Sequence, residues 1–364
     1  MKIYKFLFTV FVTVIVIFPF RALPCTTFCF LDGKDWIYGR NYDWDTGNCL
    51  ITVNKRGVAK TAYNKTNPAK WVSKYGSITF NQYGREFPLG GMNETGLVIE
   101  CMWLQQTQYP QSDSRAELNE LQWIQYQLDN CASVDDIIAS DKIIRIPSKD
   151  MALLHFLVCD SKGQAAVIEF LGGKMVVYRN GKNLPASALA NNTYAQSIRR
   201  LESATRNKQS GAIDTLRTFS DRFLRAVQGI REWENTAHGS AINHAFEILK
   251  KVTVRRTMFS IVYDVKNRYI YFKTKGNPKI RFFNFNGFQF DCHTPVKILD
   301  ISSSGKGDVT ASFSNYTFEA NIDLIRKTYS ETRFTQNVPE DKIRQVAHYP
   351  ETLTCVSTKD STSG

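Results

Sequence analysis

The dipeptide Asp32-Gly33 stands between two runs rich in aromatic and β-branched residues, Cys25-Thr-Thr-Phe-Cys-Phe-Leu and Lys34-Asp-Trp-Ile-Tyr-Gly-Arg-Asn-Tyr. An Asp-Gly pair so flanked is a strong short-range signal for a β-hairpin with a two-residue loop. With these two residues as the loop, 31 faces 34, 30 faces 35 and 25 faces 40. That register sets Arg40 across from Cys25.

An apolar leader runs into the hairpin. Lys2 and Lys5 precede an apolar run from Phe6 to Phe20, and Arg21-Ala-Leu-Pro24 leads to Cys25. A basic start and a short apolar stretch read as a secretory signal, because a spanning helix needs about 20 apolar residues. Residues 1–24 are thus expected to be removed, and the protein to be exported to the periplasm or secreted. The alternatives are an uncleaved anchor and a lipid-modified Cys25, to which Leu23-Pro24 is a poor match. Pro24 also fits the small-x-small cleavage rule badly, which points to trimming or self-processing.

Cleavage after Pro24 gives Cys25 both a thiol and a free α-amine. A thiol has a pKa of about 8.5 and a neighbouring guanidinium favours its thiolate, while an α-amine with a pKa of about 7.7 to 8.0 exchanges protons near neutrality. The amine can then serve as the base that histidine supplies elsewhere. Asp43, three residues past Arg40, is placed to orient that amine. The plainer readings are a disulfide or core role for Cys25 and a surface ion pair for Arg40 and Asp43, which would be worth little.

With 43% hydrophobic and 22% charged residues among 364, the chain has material for a large core. No Pro-, Gly- or Ser-rich linker divides it, so residues 25–350 are read as one domain and 351–364 as a disordered polar tail. The formal charge of +12 falls to +9 without Lys2, Lys5 and Arg21. The basic residues are scattered and no nucleic-acid motif accompanies them, so no nucleic-acid partner is expected; anionic acyl conjugates would gain some steering. The spacing of the eight cysteines suggests no metal cluster. Cys101 and Cys159 lie in apolar runs as core residues, and Cys292 and Cys355, in polar surroundings, are candidates to pair.

Strands are expected at Ser77–Phe80, Leu97–Trp103, Ala152–Cys159, Ala165–Phe170, Lys174–Tyr178, Met258–Val265, Arg268–Thr274 and Ile280–Phe290. Helices are expected from a capping box at Ser114-Arg-Ala-Glu117 through Leu128, at Val134–Ser140, Tyr194–Ser203, Ala212–Val227 and Ala241–Lys250. Gly90-Gly-Met-Asn-Glu-Thr-Gly96 lacks the strand-to-helix context of a phosphate loop. Strands, then helices, then strands again describe an α+β chain.

Cys25-Thr-Thr-Phe, Gly39-Arg-Asn-Tyr-Asp-Trp44, Gly91-Met-Asn-Glu-Thr-Gly-Leu97, Met102-Trp-Leu104, Leu189-Ala-Asn191 and Ser220-Asp-Arg-Phe-Leu-Arg225 follow one another in an order that resembles the choloylglycine hydrolase family. These are N-terminal-nucleophile cysteine amidases that include bile salt hydrolases and penicillin V acylases. The resemblance implies a four-layer αββα sandwich and hydrolysis of a carbon–nitrogen bond other than a peptide bond, in a linear amide. It also implies a thioester acyl-enzyme, no cofactor or metal, and a homodimer or homotetramer. It implies Cys25 as nucleophile and base, Arg40 and Arg222 as positive surroundings of the thiolate, and Asp43 as acceptor from the amine. The Asn191 side-chain amide and the Trp103 backbone N–H are implied as donors to the developing oxyanion. On their own, Asn191 reads as a turn or cap before Thr193, and Arg222 as a solvated helix residue. Members often carry Asn or Tyr at the Trp103 position, so the pocket's shape is not carried over. Conjugated bile salts, penicillin V and N-acyl homoserine lactones are all compatible substrates. A Cys/His peptidase would need one of His155, His238, His244, His293 or His348 as base, and His155 reads as a core histidine; a non-enzymatic secreted binding protein is the third alternative.

Overall fold

The computed structural model describes residues 25–64, 66–149, 151–209, 221–236 and 239–356. The leader, Ser220, the first part of the helix expected from Ala212 and the last eight residues lie outside them. Two large sheets face each other. The first runs in the order β14 (Ala188–Leu189), β1 (Thr26–Asp32), β2 (Asp35–Asp43), β15 (Thr257–Asp264), β16 (Tyr269–Thr274), β17 (Arg281–Asn284) and β19 (Gly307–Asp308). The second runs β13 (Lys174–Arg179), β12 (Ala165–Leu171), β11 (Leu154–Cys159), β8 (Val98–Trp103), β7 (Pro88–Asn93), β6 (Ser77–Asn81), β3 (Leu50–Asn54), β18 (Lys297–Asp300) and β20 (Ser314–Asn315).

Helices cover the outer faces. On the first sheet α4 (Arg222–Thr236) packs against β1 and α5 (Ala241–Lys251) against β2 and β15, with α3 (Tyr194–Gln209) beside α4. On the second, α1 (Glu120–Asn130) packs on β7, and α2 (Val134–Ser140) follows it in sequence. This is the four-layer αββα sandwich of the N-terminal-nucleophile hydrolases. Being covered on both faces, β1 and β2 are buried nearly end to end and do not alternate polar with apolar residues. Phe30 lies 5.4 Å from Trp233 and 5.7 Å from His244 on the helix side. Side chains two apart share a face, so Thr27 and Cys25 have the opposite parity and point between the sheets. There Phe80 stacks on Phe259 and the Tyr38 hydroxyl donates to the Leu157 carbonyl at 2.9 Å.

The hairpin register differs from the expected one by two residues. Asp32 pairs with Asp35, leaving Gly33-Lys34 as the loop, and Arg40 faces Thr27 instead of Cys25. Gly33 has φ +66°, the left-handed conformation that a Gly-first two-residue turn requires and that Asp32 would adopt less readily. A shift by two keeps every side chain on its face. Arg40 therefore remains on the Cys25 side as a diagonal neighbour, while Tyr42 takes the facing position.

Other expectations are corrected locally. Ala116–Glu117 is a short strand, β9, paired with β10 (Ile144–Arg145), and Glu117 accepts from Arg145. Asn119 therefore caps α1, accepting from Leu121 N at 3.1 Å and Gln122 N at 2.8 Å, in place of Ser114. The segment expected as strand to Phe290 leaves the sheet after Asn284 in a short 3-10 turn. Helices α6 (Phe318–Glu331) and α7 (Glu340–His348), unforeseen in the sequence, pack on each other through Ile322, Ile325 and Ile343. The stretch read as tail from 351 is ordered through Val356. Its strand β21 (Thr354–Cys355) adds to β4 (Val58–Thr61), which pairs β5 (Lys70–Val72), and Cys355 is disulfide-bonded to Cys292 with a Cα separation of 5.5 Å. Cys101, Cys159 and the other free cysteines of the described residues are buried.

Candidate active site

Four strand ends meet at one edge of the first sheet. Cys25 precedes β1, Asp43 ends β2, Thr257 begins β15 and Asn191 follows β14 by two residues. The β1–β14 register pairs Thr27 with Leu189, so its continuation brings Asn191 opposite Cys25. The Cys25 N–H accordingly donates to Asn191 Oδ1 at 2.9 Å. His155 holds this corner from below. Its ring lies between Glu169 Oε1 at 3.1 Å and the Ala190 carbonyl at 2.7 Å, fully buried as a core histidine.

Arg222, the first residue of α4, binds three groups around the cysteine. Its guanidinium donates to the Cys25 carbonyl, to Thr26 Oγ1 at 2.7 Å and to Asn191 Oδ1 at 2.8 Å, and lies 3.8 Å from Asp43 Oδ2. Asp43 Oδ1 accepts from Thr257 Oγ1, while Oδ2, also buried, has no hydrogen-bond partner among the described residues. Burial pushes the Asp43 carboxyl up to about 6 despite Thr257, Arg222 and Arg40. The expected contact between Asp43 and the Cys25 nitrogen is replaced in this structure by the one to Asn191.

The Cys25 thiol reaches the Asp43 carbonyl at 3.7 Å and is 4% exposed. Burial, followed by the Asp43 charge, raises its pKa; Arg40 and Arg222 oppose this and do not prevail. Both guanidiniums thus act on the thiol in the expected direction, towards the thiolate, and burial outweighs them. Behind Arg40 lies Glu100, which forms a buried ion pair with it and accepts a second hydrogen bond from the Tyr263 hydroxyl. Arg40 also donates to the carbonyls of Leu89 at 3.3 Å and Cys101 at 3.0 Å. Gly90 makes room for Glu100, since a Cβ there would stand 2.0 Å from Oε2.

Asn191 Nδ2 donates to the Trp103 carbonyl at 2.7 Å, which uses one of its two hydrogens. Leu104 N–H bonds the Leu153 carbonyl, and antiparallel ladders alternate bonded and non-bonded pairs. Trp103 and Leu154 are therefore a non-bonded pair, as the other partners of Leu154, Tyr109 and Thr107, corroborate. The Trp103 N–H consequently points away from β11. All six residues singled out in the sequence, Cys25, Arg40, Asp43, Trp103, Asn191 and Arg222, thus surround one point.

This point opens into a cavity of about 490 Å³ with walls of Tyr42, Trp44, Tyr63, Tyr83, Phe87 and Trp103, closed by Tyr329 and Phe334 from the α6 region. Phe334 stacks on Trp103 with centroids 5.8 Å apart and lies 6.3 Å from Trp44. Among the described residues no histidine lines it. Glu100, Thr257 and Phe334 were not found by sequence reasoning. Glu100 did leave a signal, as the one acid in the apolar run Leu97-Val-Ile-Glu-Cys-Met-Trp103.

A cysteine at the end of an inner strand of two facing sheets, with an asparagine and an arginine on its backbone, places the chain with the N-terminal-nucleophile hydrolases of the α+β class. Comparison narrows this: residues 25–298 match the linear amide C–N hydrolases, choloylglycine hydrolase family, and the chain belongs to that family. It is 30% identical over 178 residues to a penicillin V acylase of Pectobacterium atrosepticum, a match covering 44% of this chain and 47%, about half, of that relative. An uncharacterized protein of Paramecium bursaria Chlorella virus 1 is 24% identical over 232 residues, 53% of this chain and 82% of that one. The fold is shared with penicillin V acylase from Agrobacterium tumefaciens, at a TM-score of 0.70 and 24% identity over 80% of this chain and 98% of that one. It is shared also with a variant of the conjugated bile acid hydrolase from Clostridium perfringens, at a TM-score of 0.62 and 18% identity over 78% and 98%.

Proposed function

We propose that the protein is exported, loses residues 1–24, and hydrolyses linear acyl amides through Cys25 as an N-terminal nucleophile. The observation that carries this reading is the convergence of Asn191 and Arg222 on the backbone of Cys25, with Asp43 beside Arg222, at the mouth of an aromatic cavity. As a peptide N–H the Cys25 nitrogen has one hydrogen to give, and Asn191 takes it. As an amine it has more, and Asp43 Oδ2 is a buried acceptor with no hydrogen-bond partner among the described residues.

The raised thiol pKa suits this chemistry, because the proton then stays on sulfur until the α-amine receives it. Sulfur attacks the carbonyl carbon, and the oxygen gains negative charge beside the second Asn191 Nδ2 hydrogen and the Trp103 N–H. Such donors stabilise the transition state more than the ground state. Collapse breaks the C–N bond, and the leaving amine takes the proton held by the α-ammonium. Water then gives its proton to the same amine, attacks the thioester and releases the acid. Arg222 fixes the Cys25 carbonyl and the Asn191 oxygen, so the amide's donors face the reacting carbon.

The cavity and the penicillin V acylase relative both favour an apolar acyl group with an aromatic ring, seated between Trp44, Trp103 and Phe334. Among the described residues no histidine lines the cavity, which disfavours the peptidase alternative for His155, His244, His293 and His348. Steady-state hydrolysis of penicillin V, glycine- and taurine-conjugated bile salts and acyl lactones tests the reading. Turnover of at least one, abolished in Cys25→Ser, is expected; unchanged turnover in that variant would contradict it.

A further inference from the structure

One carboxyl on the cavity wall has no part in the hydrolysis described above. Glu120, the first residue of α1, is half-buried and faces the cavity. One of its oxygens accepts from the Ala152 N–H at 3.1 Å, and its own backbone N–H is the other donor it meets. Among the described residues no cation pairs with it. Arg40, among the described residues the one guanidinium on the cavity wall, is committed to Glu100.

A carboxylate offers about four acceptor positions, and two are used. Its position at a helix N-terminus makes the negative charge tolerable there. That position does not explain why the side chain faces an aromatic cavity, where burial pushes the carboxyl up to about 7, when it could face water. Such a group is stabilised by a donor arriving with the ligand. A neutral hydroxyl suits the place better than an ammonium. Stripping a cation of water costs far more than stripping a hydroxyl, and among the described residues the cavity offers no second acid to answer it. At about 490 Å³ the cavity falls in the range of roughly 300–1,000 Å³ that holds drug-sized ligands, so it has room beyond a single ring at Trp103.

We infer that Glu120 determines specificity by accepting a hydrogen bond from a hydroxyl at the far end of the acyl group, making amides of hydroxylated, otherwise apolar acids the preferred substrates. This rests on the proposed amidase reading, with the acyl group in the aromatic cavity. The test uses pairs of N-acylglycines that differ only at the acyl terminus, methyl against hydroxyl, over straight chains and aryl-alkyl chains of increasing length. The quantity read is the hydroxyl-to-methyl ratio of kcat/KM within each protein, in which any loss of folded enzyme cancels. A site built to bond a hydroxyl discriminates strongly against its absence, so at one chain length the wild-type ratio is expected to reach about tenfold or more. Glu120→Leu brings it to one or below, and Glu120→Gln, which keeps an acceptor, falls between. A ratio equal in all three proteins at every length overturns the inference, as does a preference for amino-ended over hydroxyl-ended acyl groups. Absence of turnover with every pair overturns the amidase reading. The Glu120 assignment is then decided by calorimetric Kd values of the matching free acids, where equal affinity of the wild type and Glu120→Leu for the hydroxyl-ended acid overturns it.

Discussion

Replacing Glu100 by Gln separates the electrostatic role of Arg40 from its structural one. Arg40 is 1% exposed and Glu100 fully buried, and removing one partner from a buried pair typically costs about 3–5 kcal/mol. Gln keeps the shape and an acceptor, and Arg40 retains the Leu89 and Cys101 carbonyls, so the lower end, about 3 kcal/mol, is expected. The same change strips the counter-charge from Arg40. Arg40 is the diagonal cross-strand neighbour of Cys25, a separation of about 7–8 Å, where a unit charge at an effective dielectric of about 20 acts with about 2 kcal/mol. The Cys25 thiol pKa should therefore fall, because the loss of the Glu100 charge leaves that Arg40 interaction unopposed. Urea unfolding reads the first effect. The pH dependence of iodoacetamide alkylation, mapped to the Cys25 peptide by mass spectrometry, reads the second. A destabilised variant whose thiol pKa is unchanged or higher would refute the reading that the Glu100 charge partly offsets the pull of Arg40 on the thiolate.

Asn191→Ala removes the proposed oxyanion donor and should lower kcat by about two to three decades, read in steady-state kinetics on a substrate the wild type cleaves. Phe334→Ala opens the wall stacked on Trp103 and should raise KM for aromatic acyl amides while changing kcat little; an unchanged KM contradicts the placement of the acyl group. The Cys292–Cys355 bond closes a loop with a sequence separation of 63, so Cys355→Ser should lower unfolding free energy by about 4 kcal/mol in denaturant titration. The Glu120 carboxyl, ordinarily near 4.5 and raised to about 7 in the fold, binds its proton more tightly folded than unfolded. Its stabilising contribution is whole below about 4.5 and is lost as pH rises through about 7, so Glu120→Gln should flatten the decline of Tm over that window.

Much of the site could be read from residues alone because it sits on β1 and β2, where a turn signal and a two-residue period order the side chains. The hairpin was misregistered by two residues, yet Cys25 and Arg40 stayed on one face, since only an odd shift exchanges faces. What was missed depends on contacts distant in sequence. Glu100 reaches Arg40 across the space between the sheets, and Thr257 meets Asp43 only through β15 pairing. Phe334 arrives from the α6 region, more than a hundred residues beyond Arg222 in sequence. Ser114-Arg-Ala-Glu117 carried a capping box by pattern, but its last two residues were taken by pairing with β10. Local propensity lost there to a tertiary contact.

The most direct test of an N-terminal nucleophile is the mass of the enzyme caught in turnover. Acid quenching during hydrolysis of an amide substrate, followed by intact-mass measurement and N-terminal sequencing, should find an active chain that begins at Cys25 and carries the acyl group on that residue. An active chain that retains any residue before Cys25, or one acylated elsewhere, would contradict the account.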